Sequence, residues 1–151
     1  MDKIEHLIGL ADSSREELLK VWEASVRSSH HFLCEEDILF YRARVHDIYL
    51  EGIDIYVVRQ NGKLVAFMGL SDDMVEMLFV HPSAKGKGIG SALLGFASEN
   101  RGILKVDVNE QNTEAYEFYL KRGYKVIDRA DFDADGRPFP ILHMLLSPVD
   151  Q

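Results

Sequence analysis

Apolar positions along the chain follow a helical period first, an alternating one next, and then each in turn. Ser14-x-x-Glu17 has the form of a capping box, and Leu18, Trp22 and Val26 behind it share one helical face. A break over 28–33 separates this helix from a second one predicted over 35–50. From 54 to 60 the composition turns β-branched and aromatic, and 63–70 is again strand-like. Asn61-Gly62 joins the two runs and supplies the positive φ angles of a type I′ turn, so they form a hairpin. Asp72-Asp73 is a second tight turn, leading into a third strand over 74–80.

The period then lengthens. Ile89, Leu93, Phe96 and Ala97 form a helical stripe behind a glycine-rich turn, with Asn100 and Gly102 to end it. A strand over 103–108 follows. In a helix over 113–122, Glu114 and Glu117 come early and Lys121 and Arg122 late, an order that complements the helix dipole, and Gly123 is the stop. Strands over 124–132 and 139–146 flank a turn at Asp135-Gly136. Helices, antiparallel strands and then strand–helix–strand–helix–strand–strand predict an α+β (mixed α/β) chain, not a doubly wound parallel sheet.

Composition narrows the function classes. The 151 residues suit one domain over 1–151, and 46% hydrophobic with 28% charged residues is ordinary for a globular chain. Cys34 is the sole cysteine and has no partner for an internal disulfide, which points to a reducing, cytoplasmic compartment. The six histidines show no zinc spacing, so no metal is implied. The N-terminal stretch Met1-Asp2-Lys3-Ile4-Glu5-His6 lacks a signal peptide's apolar run, and no stretch of about 18 apolar residues could span a bilayer. A net charge of −8 argues against nucleic acid as a partner and suits a cationic substrate.

The chemistry concentrates in Lys85-Gly86-Lys87-Gly88-Ile89-Gly90-Ser91, between a strand and a helix. Glycines let the backbone turn tightly against a ligand, and a helix start presents unpaired N–H groups and positive dipole. With two lysines added in an acidic protein, an anion is the natural guest, a diphosphate above all; the plainer alternative is a solvated connector. A Walker A loop is excluded because Gly88, not Ser or Thr, follows Lys87. A G-x-G-x-x-G fingerprint fails at Ser91 when started at Gly86, and at Leu93 when started at Gly88.

The run Leu78-Phe79-Val80-His81-Pro82-Ser83-Ala84-Lys85-Gly86-Lys87-Gly88-Ile89-Gly90-Ser91 resembles the acetyl-CoA signature of the GNAT N-acetyltransferases, with Lys85 where Arg or Gln is usual. A second family element, Asn112-x-x-Ala115-x-x-Phe118-Tyr119-x-x-x-Gly123-Tyr124, follows in the right order. His31-Phe32-Leu33, Val108-Asn109-Glu110-Gln111-Asn112 and Gly136-Arg137-Pro138-Phe139-Pro140 extend the likeness to the bacterial YjaB-type members of that family. The resemblance implies the GNAT fold: a mostly antiparallel central sheet of six to seven strands flanked by about four helices. It implies direct transfer of the acetyl group of acetyl-CoA to a primary amine, the acceptor being a protein lysine, a peptide, an amino acid or a polyamine. The acidic charge and the lack of a spanning stretch leave no nucleic-acid or membrane partner expected, and strands exposed at the C-terminal side allow a monomer or a homodimer. A non-catalytic acyl-CoA-binding module, or a transferase for another acyl group, is the alternative.

Residue by residue, the resemblance implies that free backbone groups of Leu78, Phe79 and Val80 hold the pantetheine arm and polarise the thioester. Lys85, Gly86, Lys87, Gly88, Ile89, Gly90 and Ser91 then cradle the phosphates. Tyr119 matches the proton donor to the departing thiolate, although Ala115, Phe118 and Tyr119 also have the spacing of a buried helix face. Asn112 matches a pantetheine ligand, and is equally suited to capping a helix. For the base, Glu76 is the single carboxylate of its strand, placed by alternation with Leu78 and Val80; Asp107 and a water relay compete with it. His30, His31 and Phe32 fall where the acceptor site is bordered in this family.

Overall fold

The computed structural model describes residues 3–147; Met1 and Asp2, from the N-terminal stretch read above, and residues 148–151 lie outside the described residues. Three strands, β2 (Asp54–Gln60), β3 (Lys63–Leu70) and β4 (Met74–Val80), have the bounds that alternation predicts. Between β2 and β3, Asn61 and Gly62 take φ of 54° and 78°, the pair of left-handed residues that a type I′ hairpin needs. Then come α3 (Ile89–Arg101), β5 (Lys105–Asn109), α4 (Thr113–Lys121), β6 (Tyr124–Ala130) and β7 (Ile141–Leu146).

Three expectations need correction at the N-terminal side. A short strand, β1 (Ile4–Leu7), pairs antiparallel with β2; four residues are too few for a period to declare itself. The first helix, α1 (Asp12–Ser29), starts ahead of the Ser14-Glu17 box, with Ala11 as its N-cap and Asp12 as the acidic residue of its first turn. Glu17 instead accepts a hydrogen bond from Arg59 at 2.9 Å. Helix α2 (Glu35–Arg44) ends sooner than predicted and passes into a wider π turn over Val45–Tyr49. Its N-cap is Cys34, whose backbone N–H donates to Asp37 at 3.0 Å.

The seven strands lie in the order β1-β2-β3-β4-β5-β7-β6, and every pairing is antiparallel except β4 with β5. Each face of the sheet is covered. On one side α1, α2 and the π turn bury Leu18, Leu19, Trp22, Ile38 and Val45 against Ile55, Val57 and Phe67. On the other, α3 and α4 bury Leu93, Leu94, Ala97 and Tyr119 against Met68, Val106 and Met144. Burial of this apolar area is the main driving force for the three layers. Among the described residues no helix is long and apolar enough to cross a membrane.

The end of α1 ties the two sides together. His30, the C-cap, donates its backbone N–H to Val26 at 2.7 Å, and its Nε2 stands 3.4 Å from the Asn112 side chain at the start of α4. Lys85 reaches Ser28 at 3.3 Å and Glu114 at 2.9 Å beside it. Burial, helped by the positive charge of Lys85, lowers the His30 pKa to about 4, with Glu114 opposing. Between that value and the free imidazole pKa the unfolded chain binds a proton that the folded chain refuses, so stability is lost as pH falls through this window. The melting temperature should therefore drop between about pH 6.5 and pH 4, and drop less in His30→Asn. Thermal melts of both proteins across that range check it; parallel curves would exclude His30 as the cause.

Candidate active site

The parallel contact of β4 with β5 is confined to Met74–Lys105 and Val75–Val106. Beyond it the strands part, while β4 stays paired with β3 as far as Val80. His81 donates its N–H to Val65 at 2.8 Å, continuing that register. Antiparallel bonds alternate, so Phe79 and Met77 bond to β3 and the backbone groups of Leu78 and Val80 turn toward the gap. A cleft of about 640 Å³ opens along this gap, lined by α1, β4, the glycine turn, β5, α4 and the β6–β7 connection.

At one end of the cleft lies the turn into α3. Gly86 and Gly88 hold φ of 77° and 79°, which other residues adopt at a cost, and a Cβ added at either would meet nothing within 4 Å. Gly88 caps α3 and its carbonyl accepts from Ala92, so the N–H groups of Ile89, Gly90 and Ser91 have no acceptor within the helix. This is an open cradle of donors, and it fits a diphosphate. Lys85, Gly86, Gly88, Ile89, Gly90 and Ser91 line the cleft, whereas Lys87 is exposed beside it. The charge of Lys85 is turned to Glu114 rather than into the cradle. Gly90 packs against Phe118, whose ring would be 3.1 Å from an added Cβ.

Helix α4 brings Tyr119 and Asn112 to the middle of the cleft. The Tyr119 ring is buried between Phe118 and Tyr124, at centroid distances of 5.5 and 5.6 Å. Among the described residues no buried polar side-chain atom lacks a hydrogen-bond partner, and the Tyr119 hydroxyl makes no bond to protein; it therefore opens into the cleft. Burial, with Tyr124 as the lesser cause, pushes its pKa up, so the phenol keeps its proton at neutral pH. Asn112 is the N-cap of α4, its Oδ1 accepting from the Ala115 N–H at 3.2 Å. The capping role is filled, and its amide nitrogen remains against His30 at the cleft wall.

Two carboxylates flank the point where the strands part. Glu76 follows Val75 and Asp107 follows Val106, the last β4–β5 pair. Simple alternation fails at Glu76: Leu70 pairs with Val75 but Gly69 with Met77, so Glu76 is the extra residue of a β-bulge. The bulge breaks the register that would have set it with Leu78 and Val80. Its carboxylate is exposed, lines the cleft, and accepts from the Ser71 hydroxyl at 2.9 Å. Asp107 also lines the cleft and lies 2.7 Å from His143 Nδ1 on β7.

The β6–β7 connection adds residues that the sequence reading passed over. Asp133 accepts from the Tyr41 hydroxyl and from the N–H groups of Asp135 and Arg137. Asp135 accepts from the Tyr49 hydroxyl and pairs with Arg44 at 2.7 Å. Burial and Asp133 together push the Tyr41 pKa up. All four of Tyr41, Tyr49, Asp133 and Asp135 line the cleft. Only the Asp135-Gly136 turn was legible, since nothing in the sequence links Tyr41 to a residue 92 positions later. His30 also lines this cleft, while His31 and Phe32 border a smaller hollow with Ser28, Gln111 and Thr113.

Comparison with known proteins places this geometry. The model of the acetyltransferase (GNAT) domain family matches residues 51–126. The peptidyl-lysine N-acetyltransferase YjaB of Salmonella typhimurium is 35% identical over 134 residues, covering 86% of this chain and 90% of that protein. Its Escherichia coli counterpart is 36% identical over 133 residues, covering 85% and 88%. The solution structure of apo YjaB from Escherichia coli superposes with a TM-score of 0.82 at 31% identity, covering 99% of both chains. With one family model spanning the fork, the glycine turn and α4, and relatives alike along nearly their whole length, the chain belongs to the GNAT acetyltransferases, whose donor is acetyl-CoA.

Proposed function

We propose that this N-acetyltransferase acts on the side-chain amine of peptidyl lysine, with Glu76 as base and Tyr119 as acid. The observation that carries the reading is the fork: Glu76 stands where β4 leaves β5, and the Tyr119 hydroxyl opens into the same cleft. Backbone groups of Leu78 and Val80 hold the pantetheine arm, and one N–H there draws charge onto the thioester oxygen as the amine attacks. Glu76 takes the amine proton; the C–N bond forms, the C–S bond breaks, and Tyr119 protonates the sulfur. Asn112 and the cradle from Lys85 to Ser91 hold the donor in reach, which lowers the entropic barrier.

The lysine acceptor is supported by charge as well as by the names of the relatives. Among the described residues Glu76 and Asp133 have no ion-pair partner, and Asp107 has only His143. Three carboxylates on one cleft attract an ammonium group by Coulomb interaction. A cytoplasmic place of work agrees with the single, exposed thiol of Cys34.

Four measurements test this reading. Tyr119→Phe keeps the ring and its packing, so kcat should fall by roughly 10²–10⁴-fold while the acetyl-CoA Kd and the melting temperature barely move; a kcat within about twofold of the parent rejects the acid role. Glu76→Gln should lower kcat/KM by a similar factor of roughly 10²–10⁴ and Asp107→Asn by less than about tenfold; the reverse order would transfer the base to Asp107. At saturating acetyl-CoA, KM for a lysine peptide should rise severalfold when ionic strength goes from about 0.05 to about 0.5 M, as screening shortens the reach of the cleft's charge. Mass spectrometry of the product locates the acetyl group, and modification confined to the α-amine of the peptide would refute the lysine assignment.

A further inference from the structure

Eight of the nine arginines in the chain pair with carboxylates: Arg15, Arg27, Arg42, Arg44, Arg59, Arg101, Arg129 and Arg137. Arg122, at the C-cap of α4, has no ion pair among the described residues, although the protein carries 25 acidic groups. It is not mobile for want of contacts. Its guanidinium carbon sits over the Phe118 ring, 3.6 Å from the centroid, and a terminal nitrogen donates to the Phe118 carbonyl at 2.9 Å. The remaining edge of the fork, Nε and a terminal nitrogen, points at the Ser91 hydroxyl, with Nε at 2.8 Å. Ser91 is in the first turn of α3, directly after the glycine cradle, and both residues line the cleft. A planar fork aimed at one neutral oxygen is the geometry that receives two oxygens of a phosphate.

Resting on the acetyl-CoA reading above, we infer that Arg122 is the receptor for the donor's 3′-phosphate, the phosphomonoester on the adenosine ribose. Two phosphate groups on the donor need partners. The diphosphate has the free N–H groups of Ile89, Gly90 and Ser91. Arg122 reaches Ser91 at the end of that cradle and is exposed on the cleft lining. Lys85, the other cation of the lining, is already matched by Glu114. Phosphate oxygens replace the Ser91 hydroxyl as acceptors, the contact to Phe118 holds the plane, and no carboxylate has to be displaced first.

The test compares coenzyme A with dephospho-coenzyme A, which keeps the diphosphate and lacks only the 3′-phosphate, by calorimetry on the whole chain. The parent should bind coenzyme A about 10- to 100-fold more tightly, the range of a charge-assisted bidentate contact. In Arg122→Gln the preference should shrink to about twofold, with the dephospho-coenzyme A Kd little changed. Arg122→Lys, which retains the charge and loses the fork, should keep a partial preference and serves if the glutamine variant does not fold. Equal affinity of the parent for both ligands overturns the assignment. So does an equal loss for both in Arg122→Gln, which would make Arg122 a support for Phe118 or a diphosphate ligand. Failure of the parent to bind either compound overturns the acetyl-CoA reading itself, and this assignment with it.

Discussion

The separation of β4 from β5 is the constraint on which the molecule turns. A strand inside a sheet has hydrogen-bond partners on both sides, and unmet backbone groups cost free energy when they are buried. Here the parallel contact ends after two residue pairs, so the inward edge of β4 faces a cleft instead of a neighbour. The sheet tolerates this because β5 is held from its other side by β7, and because α3 and α4 bury one continuous apolar layer beneath both halves. A ligand with its own amides and carbonyls can complete the ladder that the protein leaves open.

Charge is distributed along the same gap. At the α3 end the cleft has a helix N-terminus, the glycine cradle and Arg122; at the fork it has Glu76 and Asp107, with Asp133 supplied from the β6–β7 connection. An anionic donor and a cationic acceptor are thereby drawn to different parts of one cleft. Many of the chain's other acidic groups are matched elsewhere, in surface pairs such as Arg27 with Glu35 and Arg129 with Glu110. Exposed pairs of that kind contribute little to stability, so their main effect is to leave the cleft's charges distinct.

Several parts of the site are backbone, and they mark the sequence only indirectly. The glycine turn, the helix start and the strand edge bind through N–H and C=O groups, and so leave a trace as glycines and as an apolar strand rather than as reactive side chains. Tyr119 is ambiguous for the opposite reason. Its ring belongs to the core in every sense, and only the position of its unpartnered hydroxyl distinguishes it from an ordinary buried aromatic.

Local chemistry was legible from the sequence alone at most places where neighbours in the chain are neighbours in space, the N-caps of α1 and α2 excepted. The β2–β3 hairpin, the bounds of β4, the turn into α3 and the cap of α4 by Asn112 all follow from alternation, positive φ and hydrogen bonds over three or four residues. Tertiary structure decided what depends on distant partners. The β1 pairing, the bulge that breaks alternation at Glu76, the His143 contact to Asp107 and the anchoring of Asp133 and Asp135 by Tyr41, Tyr49 and Arg44 have no local signal. Periodicity records which face of an element is buried. It does not record which element lies across from it, and the fork, its carboxylates and the far wall of the cleft are all set by that second fact.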